Sequence, residues 1–310
     1  MDVVLAADIG GTKLATGVVR SDGIVLANCI AMTPTGTDAE GLYRVFRDLL
    51  HEAIKQSGVD RSAIRAVGIG CGGPMTYPEG LVSPLNIRAW RDFPLRPRLE
   101  ADFSVPVMVD NDAKAFVLGE YWVGGGRGSR CLLGMVVSTG VGGGVVEEGR
   151  LIDGAHGNAG HIGHMVVFPN GPVCGCGARG CLEAVASGSH MARQAQQALA
   201  SGTRSQIPAN PTARDIGVAA AAGDTLALRL LRRAGVALGR GIASAATLLD
   251  LDRVVIGGGV AHVAEFFLPS LRRELDARAR LDFTRHLPVQ ISDSTVETAL
   301  AGAARLVLED

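Results

Sequence analysis

Residues 3–26, VVLAADIGGTKLATGVVRSDGIVL, contain three apolar runs that are separated by glycine turns. Short apolar runs joined by such turns are typical of antiparallel β-strands. The succession of strand, glycine turn, strand and charged-glycine turn recurs in residues 131–149, CLLGMVVSTGVGGGVVEEG. The recurrence predicts two related halves that each begin with a glycine hairpin, although apolar strands with glycine hairpins also arise without duplication.

Helices and buried strands follow each of these hairpins. Residues 38–57 carry apolar side chains at helical spacing, and Gly58 follows them as a capping glycine. Further helices are predicted over 94–102, 113–122, 182–197, 212–222, 224–249, 263–275 and 298–308. Buried strands are predicted over 66–70, 105–109 and 254–256. This order of elements predicts a mixed α/β fold.

The composition excludes several classes of protein. The 310 residues supply about two average domains, and 47% of them are apolar, so the chain is neither disordered nor fibrous. A net charge of -1 and 4% aromatic residues argue against a nucleic-acid partner. The sequence contains no run of 18 apolar residues, so a membrane partner is not expected. The first residues lack the basic segment of a secretory signal. Six cysteines are too few for a disulfide scaffold, so we expect a cytoplasmic protein.

Three glycine clusters at strand ends are candidate contacts for a nucleotide. The first is DIGGTK at 8–13, where Gly10 and Gly11 let backbone N–H groups approach phosphate oxygens. Thr12 and Lys13 add a hydroxyl and a cation, and Asp8 offers a carboxylate to Mg²⁺. The other clusters are STGVGGG at 138–144 and GGG at 257–259. Each cluster alone is better explained as a simple turn, but three of them favour a nucleotide because ligands collect at the carboxyl ends of strands.

Asn111 and Asp112 follow a predicted strand and precede a predicted helix. Both residue types are favoured helix caps, which is one interpretation of the pair. In the other interpretation, Asp112 accepts a proton from an attacking hydroxyl as a general base, and Asn111 bonds a neighbouring hydroxyl. Their spacing does not distinguish the two interpretations.

His164, Cys174, Cys176 and Cys181 form a compact set of metal-ligating residue types. Three thiolates and one imidazole suit a closed, structural Zn²⁺ site. The Cys-x-Cys spacing is too short for an easy disulfide, and glycines at 175, 177 and 180 let the chain curl around an ion. Unliganded core cysteines are the alternative interpretation.

These segments together resemble the ROK family of sugar kinases and sugar-responsive regulators. DIGGTK at 8–13 and STGVGGGVV at 138–146 are similar to the two phosphate loops of the family. AGHIGH at 159–164 and CGCGARGCLEAVASG at 174–188 are similar to its signature with the zinc ligands. The resemblance covers nearly the whole chain and implies an α/β, actin/hexokinase-like fold of two ribonuclease-H-like lobes around a cleft. We expect a small lobe of residues 1–112 with a carboxyl-terminal helix at about 297–310, and a large lobe of residues 113–296 with the zinc loop.

The resemblance also implies roles for individual residues. Asp112 would deprotonate the 6-hydroxyl of a hexose that ATP, with Mg²⁺, phosphorylates. The sugar contacts would be Gly72, Gly73, Asn86, Asn111, Asp112, His161, His164 and Glu183. The nucleotide contacts would be Asp8, Gly10, Gly11, Thr12, Lys13, Thr139, Gly140, Gly257, Gly258 and Gly259. His164 would use one ring nitrogen for the sugar and the other for structural Zn²⁺, together with Cys174, Cys176 and Cys181. A homo-oligomer, either a dimer or a tetramer, is also expected.

The identity of the sugar is less clearly indicated than the reaction. His161 stands where most family glucokinases have Glu, and N-acetylmannosamine kinases resemble this chain in having His there. A neutral imidazole both donates and accepts hydrogen bonds, which suits a sugar amide. Residues 84–86, PLN, and 90–94, WRDFP, are instead similar to family glucokinases. A glucose-type hexose is favoured, and N-acetylmannosamine, another amino sugar or a cyclitol is the alternative.

Other protein classes match only parts of the sequence. A sugar-responsive repressor of this family would carry a helix-turn-helix domain ahead of the phosphate loop, whereas Asp8 lies near the first residue given. An actin-like ATPase would share the glycine hairpins, but its function would not require a zinc cluster. A regulator without catalysis is a remoter alternative, since Asp8, Thr12 and Asp112 are all present.

Overall fold

The computed structural model describes residues 2–308 and contains two compact units. The first unit consists of residues 2–128, 149–159 and 293–308, and the second consists of residues 129–148 and 160–292. None of the helices in the described residues is long and apolar enough to cross a membrane.

The strands and helices are numbered along the chain. The strands are β1 (Val3–Ile9), β2 (Lys13–Arg20), β3 (Val25–Met32), β4 (Ile64–Cys71), β5 (Met75–Thr76), β6 (Leu81–Val82), β7 (Phe93–Pro94), β8 (Val107–Asn111), β9 (Cys131–Val137), β10 (Val141–Glu147), β11 (Arg150–Leu151), β12 (Arg253–Gly257) and β13 (Val289–Ile291). The helices are α1 (Ala39–Ser57), α2 (Leu95–Phe103), α3 (Asp112–Trp122), α4 (Leu182–Ala186), α5 (Gly188–Ala200), α6 (Ala213–Ala221), α7 (Thr225–Leu249), α8 (Ala264–Arg278) and α9 (Val296–Arg305). Single 3-10 turns lie at Arg61–Ala63, Ile162–His164, Gly259–Val263 and Asp282–Thr284.

The first unit is built on a five-stranded sheet with the order β3-β2-β1-β4-β8. The predicted hairpin of residues 3–26 forms its antiparallel part, and β1, β4 and β8 run parallel. Successive side chains of β1 point to opposite faces, as the pleat of a strand requires. Val3, Leu5, Ala7 and Ile9 pack in one core cluster with side chains of α1, and Val4 and Ala6 pack in another with those of α3 and α9. The sheet is therefore covered by helices on both faces.

The second unit repeats this strand arrangement. Its strands run in the order β10-β9-β12-β13, where β9 and β10 are antiparallel and β9, β12 and β13 are parallel. The same order and directions describe β2-β1-β4-β8 of the first unit. The long helix α7 buries apolar residues along most of its length and packs against α8. The recurrence seen in the sequence thus extends to the order of the strands, which supports two related halves.

The boundary between the units differs from the predicted one, which ended the small lobe at residue 112. Helix α3 belongs to the first unit, because it packs against α9 so closely that a Cβ on Gly302 would lie 1.9 Å from the Ala115 carbonyl oxygen. The segment 149–159 also belongs to the first unit. Helical spacing identifies an amphipathic helix but does not indicate which sheet the helix covers.

Some predicted elements begin or end at other residues. The helix predicted over 182–197 is divided into α4 and α5 at Ser187, whose backbone is extended and whose hydroxyl accepts a hydrogen bond from the His190 N–H at 3.3 Å. The strand predicted over 105–109 instead runs over Val107–Asn111, so Asn111 both ends β8 and caps α3. The polar cap residues decide these boundaries.

Candidate active site

The carboxyl ends of β1, β4 and β8 bring three predicted segments to one edge of the first sheet. In the register of these strands, Ile9 pairs with Cys71, and Cys71 pairs with Asn111. The phosphate loop, Gly72 with Gly73, and Asp112 therefore leave the sheet side by side. A Cβ on Gly72 would lie 3.8 Å from an Asp112 carboxylate oxygen. The register alone thus places the predicted base beside the predicted backbone contacts to the sugar.

Asp112 is the first residue of α3, and its side chain is exposed. The helix is capped by Asn111, whose side-chain oxygen accepts a hydrogen bond from the Ala113 N–H at 3.0 Å. The Oδ1 atom of Asp112 accepts from the same N–H at 2.9 Å. Desolvation by the surrounding protein raises the pKa of the Asp112 carboxyl, and the backbone N–H contacts lower it by less. Asn111 thus acts as the cap, and Asp112 retains a second oxygen that can take a proton.

Asp8 near the end of β1 is the second carboxylate at this edge. Burial, followed by the negative charge of Asp112, raises the pKa of Asp8 to about 6, while the Lys13 ammonium lowers it. The negative charge of Asp112 disfavours the ionised form of Asp8, and a bound cation would favour it. Mg²⁺ takes oxygen ligands and retains several waters, so the half-buried Asp8 carboxylate suits it either directly or through a water.

The predicted phosphate loop, Asp8–Lys13, contacts the predicted sugar residue Asn86. Within the loop the Gly10 N–H donates to the Lys13 carbonyl at 3.0 Å, and the Thr33 hydroxyl donates to the Gly10 carbonyl at 2.7 Å. A Cβ on Gly11 would lie 2.4 Å from the Cβ of Asn86. A side chain at residue 11 is therefore incompatible with this packing. Thr33 holds the loop in place, and the sequence alone gave no sign of that role.

Asn86 is held at this edge by the backbone before it. The Leu85 N–H donates to the Gly73 carbonyl at 3.3 Å. The Asn86 side chain itself is exposed. The first unit therefore brings together Asp8–Lys13, Gly72, Gly73, Asn86, Asn111 and Asp112.

The four predicted zinc ligands lie together in the second unit. One ligand atom from each of His164, Cys174, Cys176 and Cys181 lies within 4.8 Å of the others. The Nδ1 atom of His164 is 3.7 Å from the Cys174 sulfur, and the Cys176 and Cys181 sulfurs are 3.7 Å apart. A tetrahedron with Zn–S bonds of about 2.3 Å has sulfur–sulfur edges of about 3.8 Å. The residues present thus fit a closed Zn²⁺ site, and Nε2 of His164 stays outside the ligand set.

The loop that carries the cysteines is shaped by its glycines. Gly177 and Gly180 both adopt positive φ angles, of 90° and 74°. A Cβ on Gly180 would lie 1.6 Å from the Phe168 carbonyl oxygen. The Cys174 N–H donates to the Ala178 carbonyl at 2.8 Å, which folds the loop back on itself. The turn that the interleaved glycines predicted is therefore present.

Glu183 connects the helix after this loop with the second glycine cluster. One of its carboxylate oxygens accepts a hydrogen bond from the Val141 N–H at 2.9 Å. A Cβ on the preceding Gly140 would lie 2.7 Å from the same oxygen. His161, another predicted sugar residue, is exposed, and its ring centre lies 6.3 Å from that of His164 in a stacked arrangement.

A cavity of about 990 Å³ opens beside the glycine clusters of the second unit. Its lining includes Ser138, Thr139 and Gly259, together with α5 and α6. A Cβ on Gly258 would lie 2.5 Å from the Val137 carbonyl oxygen, so the two clusters adjoin. The lining residues that the sequence analysis missed include Ser189, Arg193, Thr212, Arg214, His262 and Phe266. They come from α5, α6, α8 and the turns before α6 and α8, and they share no motif.

Comparisons with known proteins identify the family of the chain. The profile of the ROK family matches residues 4–310. The chain belongs to the ROK family. It is similar in structure to a ROK hexokinase from Thermus thermophilus, with a TM-score of 0.84 and 34% identity over 98% of this chain and 97% of that chain. A ROK family glucokinase from Streptomyces griseus, in complex with glucose and AMPPNP, has a TM-score of 0.79 and 33% identity over 98% of each chain.

A relative with another substrate is similar to a comparable degree. N-acetylmannosamine kinase from Citrobacter koseri is 39% identical over 230 residues, which are 74% of this chain and 74% of that protein. The family assignment and the α/β, actin/hexokinase-like fold predicted from the sequence are confirmed. The roles of single residues remain predictions.

Proposed function

We propose that this ROK protein transfers the terminal phosphoryl group of ATP to the 6-hydroxyl of a hexose. The observation that carries the proposal is the position of Asp112. It lies at the carboxyl ends of the parallel strands β1, β4 and β8, with a raised pKa and a carboxylate oxygen that its helix does not use. A carboxylate of this kind suits a general base. The similarity to a glucokinase with glucose and AMPPNP bound supports the same reaction.

In this reaction Asp112 takes the proton of the sugar 6-hydroxyl. The freed oxygen bonds to the terminal phosphorus of ATP, the bond from that phosphorus to the bridging oxygen breaks, and ADP leaves. Asn111 and Asn86 hold neighbouring hydroxyls through their amides, and Gly72 and Gly73 allow the backbone to approach the ring. Because alignment and charge neutralisation account for most of the catalysis of phosphoryl transfer, these residues would act by orienting the acceptor oxygen.

The nucleotide is held by the two glycine loops and the cavity. Asp8, Gly10, Gly11, Thr12 and Lys13 would bind phosphates from the first unit, and Thr139 and Gly140 would bind them from the second. Gly257, Gly258 and Gly259 would contact the nucleoside, and Gly259 lines a cavity that at about 990 Å³ is large enough for it. Bound Mg²⁺ would supply charge neutralisation for the phosphates, and Asp8 would hold it.

Structural Zn²⁺ fits the proposal through His164 and Glu183. His164 offers Nδ1 to the cysteine cluster, which leaves Nε2 for a sugar hydroxyl. Glu183 follows Cys181 by two residues and would bind a further hydroxyl. A metal that orders this loop would therefore fix two sugar contacts at once.

The proposed substrate is a glucose-type hexose, and His161 favours N-acetylmannosamine as the second candidate. A neutral imidazole at residue 161 carries one donor and one acceptor nitrogen, which match the groups of a sugar amide. A dimer or tetramer and a cytoplasmic location complete the proposal.

The test is a coupled ADP-release assay on the purified protein with Mg-ATP. The panel contains glucose, mannose, glucosamine, N-acetylglucosamine and N-acetylmannosamine. We expect the highest kcat/KM with glucose. A higher kcat/KM with N-acetylmannosamine would identify that sugar, and not glucose, as the substrate. If none of the sugars stimulates ADP release, the proposed function is wrong.

A further inference from the structure

Lys114 is a buried cation two residues after Asp112. Its side chain is 1% exposed, and Nζ donates to Asp110 Oδ2 at 2.9 Å and to Asp153 Oδ1 at 2.7 Å. The ring of Tyr77 lies against the same ammonium, with its centre 5.5 Å from Nζ. All four residues belong to the first unit, and none of them is among the proposed contacts to sugar or nucleotide.

Asp110 connects this lysine to the start of α3. The Asp110 side chain is 5% exposed, and both of its oxygens have partners. Oδ2 accepts from Lys114, and Oδ1 accepts from the backbone N–H of Asn111 at 2.7 Å. The lysine therefore holds a carboxylate whose other oxygen fixes the peptide between Asp110 and Asn111, one residue before the proposed base.

The charge of Lys114 keeps Asp110 in this role. Burial raises the pKa of Asp110, and the lysine only partly offsets that rise. Burial alone would lower the pKa of the Lys114 ammonium. The two carboxylate partners, Asp153 and Asp110, outweigh this effect, so the pKa of Lys114 is raised. A buried carboxylate that loses its cation takes a proton or turns toward water. Either response would weaken the contact from Asp110 to the Asn111 N–H.

Asp153 holds the cation from the other side. Its loop is closed by the Ala159 N–H, which donates to the Asp153 carbonyl at 2.9 Å. The Asp153 side chain is 41% exposed, so its loss would leave less buried charge than the loss of Lys114. We therefore expect the loss of Asp153 to disturb the start of α3 less than the loss of Lys114.

The choice of lysine matches this geometry. Only three of the 30 Lys and Arg residues in the chain are lysines, at positions 13, 55 and 114. An ammonium is a compact point charge with three donors, which suits two carboxylates and an aromatic ring around one atom. The planar guanidinium of arginine is larger and presents its donors in a fixed fork.

We propose that Lys114 is a positioning residue for phosphoryl transfer, which acts through Asp110 on the backbone of Asn111 and so orients the Asp112 carboxylate. This inference rests on the proposed function. It assigns Lys114 an effect on kcat without a direct contact to either substrate.

The experiment compares Lys114→Met and Lys114→Gln with the unaltered protein. Lys55→Met is the matched control, since Lys55 is an exposed residue of α1. Misplacement of a catalytic group by about 1 Å lowers a rate about 100-fold, so we expect kcat of Lys114→Met to fall about 10- to 100-fold. The KM for ATP should stay within about twofold of the unaltered value, because the nucleotide contacts do not involve this lysine. Lys114→Gln keeps amide donors and should lose less activity.

A second measurement reports on the backbone and does not require turnover. Asp110–Asn111 is the only Asp-Asn step in the sequence, so ¹³C-carbonyl aspartate combined with ¹⁵N-asparagine isolates the Asn111 amide resonance. We expect this resonance to move upfield in both Lys114 variants and to stay in place in Lys55→Met. Asp153→Asn should shift it less and should reduce kcat less than Lys114→Met.

Several outcomes would contradict the inference. One is a folded Lys114→Met protein with unaltered kcat, or a change only in the KM for ATP. Another is an unshifted Asn111 amide. If Lys114→Met does not fold, Lys114→Gln decides the same two points. Failure of the unaltered protein to phosphorylate any sugar would overturn the proposed function instead, and the Asn111 amide would still test the positioning.

Discussion

Glu183 accepts a hydrogen bond from the Val141 N–H at 2.9 Å, and this contact joins the start of α4 to the glycine loop before β10. The residue two positions after Cys181 is therefore in direct contact with the loop proposed to bind phosphate. The same carboxylate has a second oxygen for a sugar hydroxyl. In the proposed function, this single side chain would therefore contact the sugar and the loop that binds the nucleotide.

Glu183→Gln and Glu183→Ala should affect the two substrates differently. The Gln variant retains an oxygen for the Val141 N–H and loses only the charge, so we expect a rise in the KM for the sugar alone. The Ala variant loses both contacts and should raise the KM for ATP as well. A hydrogen bond to a charged group contributes about 1.5–3 kcal/mol, which predicts a rise of about 10- to 100-fold in the sugar KM.

Steady-state kinetics with each substrate varied in turn measures the Glu183 effect. Glu148→Gln is the control, since Glu148 pairs with Arg130 at an exposed turn. Equal increases in the KM for ATP in the Gln and Ala variants would contradict the shared role of Glu183.

Asp112→Asn should remove the base and preserve the sugar site. The amide has the same shape but accepts no proton, so we expect kcat to fall about 10²- to 10⁴-fold. Sugar affinity measured by calorimetry should change little, because the hydrogen-bonding contacts remain. Asp276→Asn, at an exposed residue of α8, is the control. A variant with near-normal kcat would show that another group takes the proton.

The pH dependence of kcat/KM should report the same carboxyl group. As the proposed general base, Asp112 would act in its ionised form, so activity should rise with pH through the pKa of this carboxyl. Desolvation raises that pKa, which places the acidic limb above the ordinary value of 3.8. A rate profile that stays flat down to pH 4 would exclude Asp112 as the base.

Asp8 should make the protein less stable at neutral pH than a neutral residue would. Its pKa rises from 3.8 in the unfolded chain to about 6 in the folded one. Between these values the unfolded state releases its proton first, so stability falls as pH rises. Asp8→Asn should therefore gain up to about 3 kcal/mol at pH 7 without Mg²⁺.

Chemical denaturation at pH 4 and pH 7, without Mg²⁺, tests the effect of Asp8. The gain of Asp8→Asn over the unaltered protein should be present at pH 7 and nearly absent at pH 4. Asp276→Asn should show no such difference. A variant that is less stable than the unaltered protein at pH 7 would contradict the burial of a charge at Asp8.

The local patterns of the sequence were sufficient to predict the order of elements. Glycine turns and apolar periodicity identified both hairpins, and Gly58 ends α1 in a left-handed conformation as predicted. The assignment of α3 to one unit was not predictable, because it depends on the contact between Ala115 and Gly302, nearly 190 residues away in the chain. Periodicity contains no information about such a partner.

The parts of the candidate site that lie within a short sequence motif could be predicted from the sequence. The cysteine spacing predicted a cluster that the structure brings within 4.8 Å. Thr33, Lys114 and the lining of the large cavity were not predicted, because each acts through contacts between distant segments. Lys114 in particular resembles any other lysine near a helix start until the fold places Asp153 beside it.

Gly11→Ala should disturb the contact between the phosphate loop and Asn86. The new Cβ would lie 2.4 Å from the Asn86 Cβ, which is far inside normal contact. Overpacking of this kind costs about 1–3 kcal/mol, so we expect a lower free energy of unfolding. The double variant Gly11→Ala with Asn86→Gly removes the opposing Cβ and should regain most of that loss. Denaturant midpoints measure the loss of stability in Gly11→Ala and its recovery in the double variant. A double variant that is no more stable than Gly11→Ala would show that the strain lies elsewhere.

Removal of one cysteine ligand should release a structural metal. We expect about one Zn²⁺ per chain in the unaltered protein, by elemental analysis of untagged material. Cys176→Ser replaces an exposed ligand and should lose most of the zinc and lower the Tm, since metal binding adds to folding free energy. Cys29 lies on β3, far from the cluster in sequence, so Cys29→Ser should retain the zinc and the Tm of the unaltered protein. A zinc-specific chelator should lower the Tm of the unaltered protein and of Cys29→Ser but leave Cys176→Ser unchanged. Full zinc content in Cys176→Ser would mean that the four side chains do not form the metal site.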